Sequence, residues 1–353
     1  MYRIKIAVFI LLQFILCGLS DVSFAHKPEG DGAASDNRSH KPEGDGAASD
    51  NRSHKPEGDG GQPNSRSHKD DKDPDEWNPV SAGPLTTWTA PLCDKVKLVV
   101  QPFLFYNRAR GTFNSDSHYG SLPADDIKFQ FQEQLFAQYG LSERLEIDAQ
   151  AVYQENYAKQ SNRKAHTNGA GDSYLFLRYC ALEEERWLPH LTGIFQLKVP
   201  TGKYQKADPD KLGTDLMGAS SGGGSYDLGA GINLSKKLKP FVAHADFIYS
   251  VPQERKIDTV KTRYGRDLNY DFGVEYFMAA GFNLSFEFNG FLQADKNQNG
   301  EKTPATDAAY LILSPGIGWS SEKIQMLLGY QRTLTGTNTD ANDSVVFTCV
   351  YTF

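Results

Sequence analysis

The sequence predicts an all-β protein: a transmembrane, antiparallel, up-and-down β-barrel of about 12 strands, with a disordered amino-terminal repeat segment. Three observations predict it. The last stretch, 343–353 (DSVVFTCVYTF), places Val345, Phe347, Cys349, Tyr351 and Phe353 on one strand face and Val346, Thr348, Val350 and Thr352 on the other. Side chains alternate faces along a strand, so one face is apolar and aromatic while the other is smaller and more polar. Similar alternation recurs upstream from residue 98 onward, in segments about as long as a tilted strand needs to cross a bilayer, roughly ten residues. The connections also alternate, short then long, as expected when one rim carries turns and the other carries loops.

Taken in order, residues 1–25 read as a targeting segment. Arg3 and Lys5 precede an apolar run over 7–19, and Ser23-Phe24-Ala25 is a small-x-small cleavage site, so the mature chain is expected to begin at His26. Beyond it no apolar run reaches the ~18 residues of a membrane helix. The formal net charge of −7 gives no indication of nucleic-acid binding. Residues 26–67 are copies of one unit, HKPEGDGAASDNRS, the last drifted to HKPEGDGGQPNSRS. The unit lacks aromatic and β-branched residues, so it cannot bury enough surface to offset chain entropy. Residues 26–90 are therefore expected to be a disordered periplasmic arm and residues 91–353 the barrel.

The twelve segments run near 98–107, 128–139, 145–154, 173–182, 191–199, 225–234, 241–249, 269–277, 282–293, 309–319, 324–333 and 345–353. Tight connections are expected at 140–144, 183–190, 235–240, 278–281 and 320–323, and long polar ones at 108–127, 155–172, 200–224, 250–268, 294–308 and 334–344. An even strand count leaves both termini on the turn side, which is the periplasmic side in such barrels. Tyr139, Trp187, Tyr276, Phe277 and Trp319 gather near the turns as interfacial aromatics do. Two residues resist the pattern. Glu133 falls on the lipid row, which implies a bulge there. Pro102 lies in the first strand and cannot donate to the ladder, which implies a seam or bulge at its N side. Cys93, Cys180 and Cys349 follow no metal spacing and read as free thiols.

The inward rows carry the candidate lumen residues. Arg178 and Lys198 are basic neighbours, while Asp227, Asp246, Asp271, Glu275 and Glu287 form an acidic arc together with His244. Two outcomes follow from that asymmetry. In an open passage the opposed charges set up a transverse field that favours dipolar solutes. In a narrow barrel the same groups pair across the lumen and plug it. No G-x-S-x-G elbow accompanies His244. No metal or cofactor motif is present: Gly218–Gly224 (GASSGGG) lacks a phosphate-binding lysine, and Asp295–Glu301 (DKNQNGE) places its glutamate too early for a calcium loop.

Gly171-Asp172-Ser173 opens a strand, followed by LKVPTGKY at 197–204 and SYDLGAGINLSKK at 225–237. With these motifs, residues 169–249 resemble the meta-pathway phenol-degradation, or transporter, family of outer-membrane β-barrels. The resemblance implies uptake of small, often hydrophobic or aromatic compounds, and it implies no catalytic residues. The expected function is thus passive passage or binding of a small solute, in the outer membrane of a Gram-negative bacterium. The alternatives are a non-conducting structural or surface-interaction barrel and a barrel-embedded enzyme acting on lipid. Expected partners are outer-membrane lipid and lipopolysaccharide, a small-molecule solute and the outer-membrane insertion machinery, with no nucleic acid.

Overall fold

The computed structural model describes residues 77–81, 83–161, 163–202, 223–257, 259–321 and 323–353. The expected targeting segment 1–25 and the repeats at 26–67 lie outside the described residues.

Among the described residues, twelve long strands form the wall. They are β1 Leu98–Phe113, β2 Ile127–Ser142, β3 Leu145–Gln160, β4 Ser173–Leu182, β5 His190–Val199 and β6 Asp227–Leu238, then β7 Phe241–Pro252, β8 Asp267–Phe277, β9 Phe282–Gln293, β10 Ala308–Ser320, β11 Ile324–Thr337 and β12 Thr339–Thr352. Each pairs antiparallel with its sequence neighbours, and β1 pairs with β12 to close the barrel. Closure satisfies the edges that an open sheet would leave unpaired, which a lipid environment requires.

The two faces separate as the alternation dictates. On β9, Phe282, Leu284, Phe286 and Phe288 are exposed on the outside, while Asn283, Ser285, Glu287 and Asn289 are buried inside. On β6, Leu228 and Ile232 face out, and Asp227, Asn233 and Ser235 face in. An exposed apolar belt over polar interior rows is the inverse of a soluble protein and suits a wall solvated by lipid.

Several sequence expectations are corrected. The ladder through Glu133 runs without a bulge, pairing it with Leu104 and Tyr153, so the carboxylate stays on the outer row. It lies past Gln150, the last β3 residue paired to β4, and so towards the long-loop rim, where Glu155 on the same outer face bonds His166 at 2.6 Å. The long loop expected at 334–344 is strand: β11 and β12 continue to a tight turn at Asn338, which adopts a left-handed φ of 48°. The stretch 155–172 likewise extends β3 and adds Arg163–Ala170 beside it. Loops β7–β8 and β9–β10 together build a small sheet from Arg255–Ile257, Val260–Arg263, Asn297–Gln298 and Glu301–Lys302. Pro102 does sit at a seam: β1–β12 pairing lapses at Gln101 and Pro102, and the Thr348 hydroxyl donates to the Pro102 carbonyl at 2.9 Å.

The largest departure concerns residues 83–90, expected to belong to a disordered arm. They lie inside the barrel, with Leu85 and Ala90 fully buried. A Gly-Pro-Leu-Thr-Thr-Trp-Thr-Ala stretch carries more apolar and β-branched surface than the repeats, and the polar lumen gives its backbone the partners it needs.

Candidate lumen site and family

The inserted segment is held chiefly through its main chain. Glu287 on β9 accepts the N–H groups of Leu85 at 2.5 Å, Thr86 at 3.0 Å and Thr87 at 2.8 Å, together with both threonine hydroxyls. Successive N–H groups converging on one anion make a backbone nest, and here the anion is a wall carboxylate. Asp246 on β7 accepts the Trp88 N–H at 2.9 Å. The Ser235 hydroxyl on β6 accepts the Ala90 N–H at 2.8 Å, and Thr192 on β5 donates to the Ala90 carbonyl at 2.6 Å. Arg178 on β4 donates to the Thr89 carbonyl, and Glu146 on β3 accepts the Cys93 N–H at 2.5 Å. The wall thus supplies acceptors, mostly carboxylates, where the segment offers N–H groups, and donors where it offers carbonyls.

Side chains complete the fit. Leu85 packs on Leu327 of β11 and Val346 of β12, with Phe103 and Phe105 of β1 alongside. Trp88 meets Phe136 and Phe176 edge-on at ring-centroid distances of 5.2 and 4.7 Å, and the Arg178 guanidinium lies 5.3 Å from its ring. Gly329 is needed for close approach, because a Cβ there would lie 2.3 Å from a Leu85 methyl.

The structure places every sequence-predicted lumen residue on the interior. Arg178, Lys198, Asp227, His244, Asp246, Glu275 and Glu287 are buried, and Asp271 is half-buried. It does not group them as the projected charges suggested. The acidic partners of Arg178 are Glu146 at 2.6 Å and Asp148 at 4.0 Å on the adjacent β3, and Lys198 pairs with Asp227, with Asp172 at 3.8 Å. The bases are neutralised by neighbours, while Asp246 and Glu287 hold the segment and Glu275 holds Ser81 at its entry. Among the described residues, no ion pair joins Arg178 or Lys198 to an acid of β7–β9.

His244 sits in a hydrogen-bond chain. Its Nδ1 is 2.8 Å from the Ser235 hydroxyl and its Nε2 is 3.1 Å from Glu275, which also accepts the Ser81 hydroxyl at 2.6 Å and Asn283 at 2.5 Å. With Ala90 on Ser235, the chain links both ends of the segment to one imidazole. Outside the membrane span, burial pushes the Cys93 thiol up, and the nearby Glu146 carboxylate adds to the effect. Cys93, Cys180 and Cys349 are unpaired with one another.

A cavity of about 280 Å³ remains between the segment and the β1–β4 wall. Its apolar surface includes Phe103, Phe105, Phe136 and Trp88, and its polar surface includes the amides of Gln101, Gln134, Gln138 and Gln150. Sequence reasoning missed these glutamines because it searched the inward rows for charge. Their alternation along β2 (Gln134, Phe136, Gln138) was the available signal.

With the geometry in hand, comparison with known proteins places the fold. Residues 120–348 match the family described as "Putative MetA-pathway of phenol degradation". The chain belongs to this family. The inserted segment precedes the matched range. Among solved structures, the COG4313 outer membrane channel from Pseudomonas putida F1 superposes with a TM-score of 0.59 at 14% identity, over 79% of this chain and 100% of that one, and shows the same barrel fold. The CymD monoaromatic hydrocarbon channel gives a TM-score of 0.39 at 11% identity, covering 73% and 88%. The translocator domain of the autotransporter NalP from Neisseria meningitidis gives 0.40 at 10%, covering 73% and 88%. No curated protein matches the sequence.

Proposed function

We propose that this family member is an outer-membrane channel for small, uncharged solutes carrying an aromatic ring and a hydrogen-bonding group. The observation that carries this is the cavity along β1–β4, where aromatic faces and glutamine amides occur together. Apolar walls with a few placed polar groups are the usual makeup of a small-molecule site. Amides offer both a donor and an acceptor without charge. Arg178, the one charged residue lining the cavity, is neutralised by Glu146, so a solute ion gains no partner there. The turn-side rim, where the segment leaves the lumen, is read as periplasmic, with the repeat arm, lipid contacts and insertion by the outer-membrane machinery following from that orientation. In this reading His244 is a structural link and the barrel carries out no chemistry.

The test uses Trp88 fluorescence in the detergent-solubilised full-length protein. Benzyl alcohol is expected to alter the emission saturably, Phe136→Ala to weaken the effect by about tenfold, and Trp88→Phe to abolish it. A linear, unsaturable response, or equal binding of benzoate, would sink the proposal. The inserted segment supports one second reading, a sealed barrel whose loops make the contacts; solute uptake into liposomes no faster than with empty vesicles would favour it.

A further inference from the structure

We infer that residues 83–90 are a retractable gate, withdrawn as a hairpin through the short-turn rim by its amino-terminal side. This goes beyond the passage reading, which uses the same segment as one wall of its cavity, and concerns how that wall moves. The first argument is topological. Before entering, the segment is tied at the turn rim: Trp77 packs edge-on against Phe277 at the end of β8, and Lys237 at the end of β6 donates to Asn78 at 2.9 Å. After leaving, it is tied at the same rim: Lys95 bridges Gly140, and the Val96 N–H donates to the Gly140 carbonyl at 2.8 Å, beside the β2–β3 turn. Entry and exit share one rim, so withdrawal needs no threading of the barrel. Val96, with a left-handed φ of 65°, bends the chain where the exit joins β1.

The second argument is the chemistry of the seat. The segment rests mainly on carboxylates and hydroxyls, groups that water satisfies once the segment leaves. Its apolar contacts are concentrated in Leu85 and Trp88. Separation therefore breaks two apolar contacts, while the strand ladders of the wall do not involve the segment at all. Pulling from residue 77 peels the Trp77, Asn78 and Ser81 contacts first and the Glu287 nest next, with the Gly140 tie remaining as the hinge.

The third argument concerns what is uncovered. Withdrawal bares Asp246, Glu275 and Glu287 to the lumen beside Asp271, while Arg178 keeps Glu146 and Lys198 keeps Asp227. The open lumen is lined by unneutralised acids and so favours cations.

The experiment is single-channel recording of the full-length protein in planar bilayers, in a background with Cys93, Cys180 and Cys349 replaced by serine. Ala90→Cys with Thr192→Cys, joined by a short bifunctional methanethiosulfonate, is expected to abolish large openings, which return on reduction. Leu85→Asp, which places a charge in the apolar contact and beside Glu287, is expected to raise their frequency by about tenfold or more. Their reversal potential in a salt gradient is expected to be cation-selective. Heat-modifiable migration on gels reports that each variant is folded. Folded proteins in which the cross-link and Leu85→Asp both leave the current unchanged, or in which no large openings occur, would overturn the gate. Trp88 binding of benzyl alcohol would be unaffected by that outcome, which separates it from failure of the passage reading.

Discussion

Glu287 shows how one inward side chain organises a segment some two hundred residues away in sequence. It is buried at the middle of β9, and among the described residues it forms no ion pair with a lysine or arginine. Its charge is met instead by three main-chain N–H groups and two hydroxyls. Charge-assisted bonds of this kind are stronger than neutral ones. Glu287→Ala leaves those N–H groups without an acceptor, at about 1–3 kcal/mol for each that stays buried. The expected outcome is loss of hydrogen-exchange protection at Leu85, Thr86 and Thr87 while the β9 amides stay protected. Protection that persists at all three would show that Leu85 and Trp88 hold the segment alone.

At the scale of elements, the long loops are more structured than their polar composition suggested. Asp295 anchors the β9–β10 loop: it accepts the N–H groups of Thr306 at 2.8 Å and Asp307 at 2.9 Å and pairs with Lys302 at 3.0 Å. Lys302 first, then the Thr306 N–H, hold its carboxyl below the usual carboxylate range. A carboxyl lowered in the folded loop contributes order above its unfolded value, about 3.9 for aspartate, and loses it as pH falls through the lowered value. The Thr306 and Asp307 amides are therefore expected to exchange slowly near neutral pH and to lose protection only on acidification below the ordinary aspartate range. Asp295→Asn should expose them at neutral pH. NMR exchange rates across a pH series check both. Loss of protection beginning well above that range would assign the loop's order to the small sheet formed with Val260–Arg263 instead.

At the scale of the molecule, the short turns and the long loops define two rims, and the inserted segment belongs to the turn rim at both of its ends. The orientation proposed above puts that rim in the periplasm. Trypsin added to intact cells is expected to cut within 200–224, which contains Lys203, Lys206 and Lys211, and to spare residues 26–67. Cleavage of the repeats in intact cells would reverse the orientation.

The strand plan was legible because it is written locally. Alternation on β6, β8, β9 and β12 assigned inside and outside residue by residue, and the short connections near 278–281 and 320–323 stand where expected. A period of two needs no knowledge of the partner strand, only that one face meets lipid and the other does not. Strand ends were less legible at the long-loop rim, where β1, β3, β11 and β12 run on beyond the apolar belt and polar composition resembled loop. The site was legible only in part. That Arg178, Lys198 and Glu287 face inward followed from the same alternation. Which groups they meet did not, because a lumen contact depends on strand register and on the return of a distant segment. Residues 83–90 read as the end of an unstructured arm: alone they bury nothing. Only the closed barrel supplies Glu287, Asp246 and Ser235 at the spacing of their N–H groups, and the tertiary structure alone decided that this stretch lies inside.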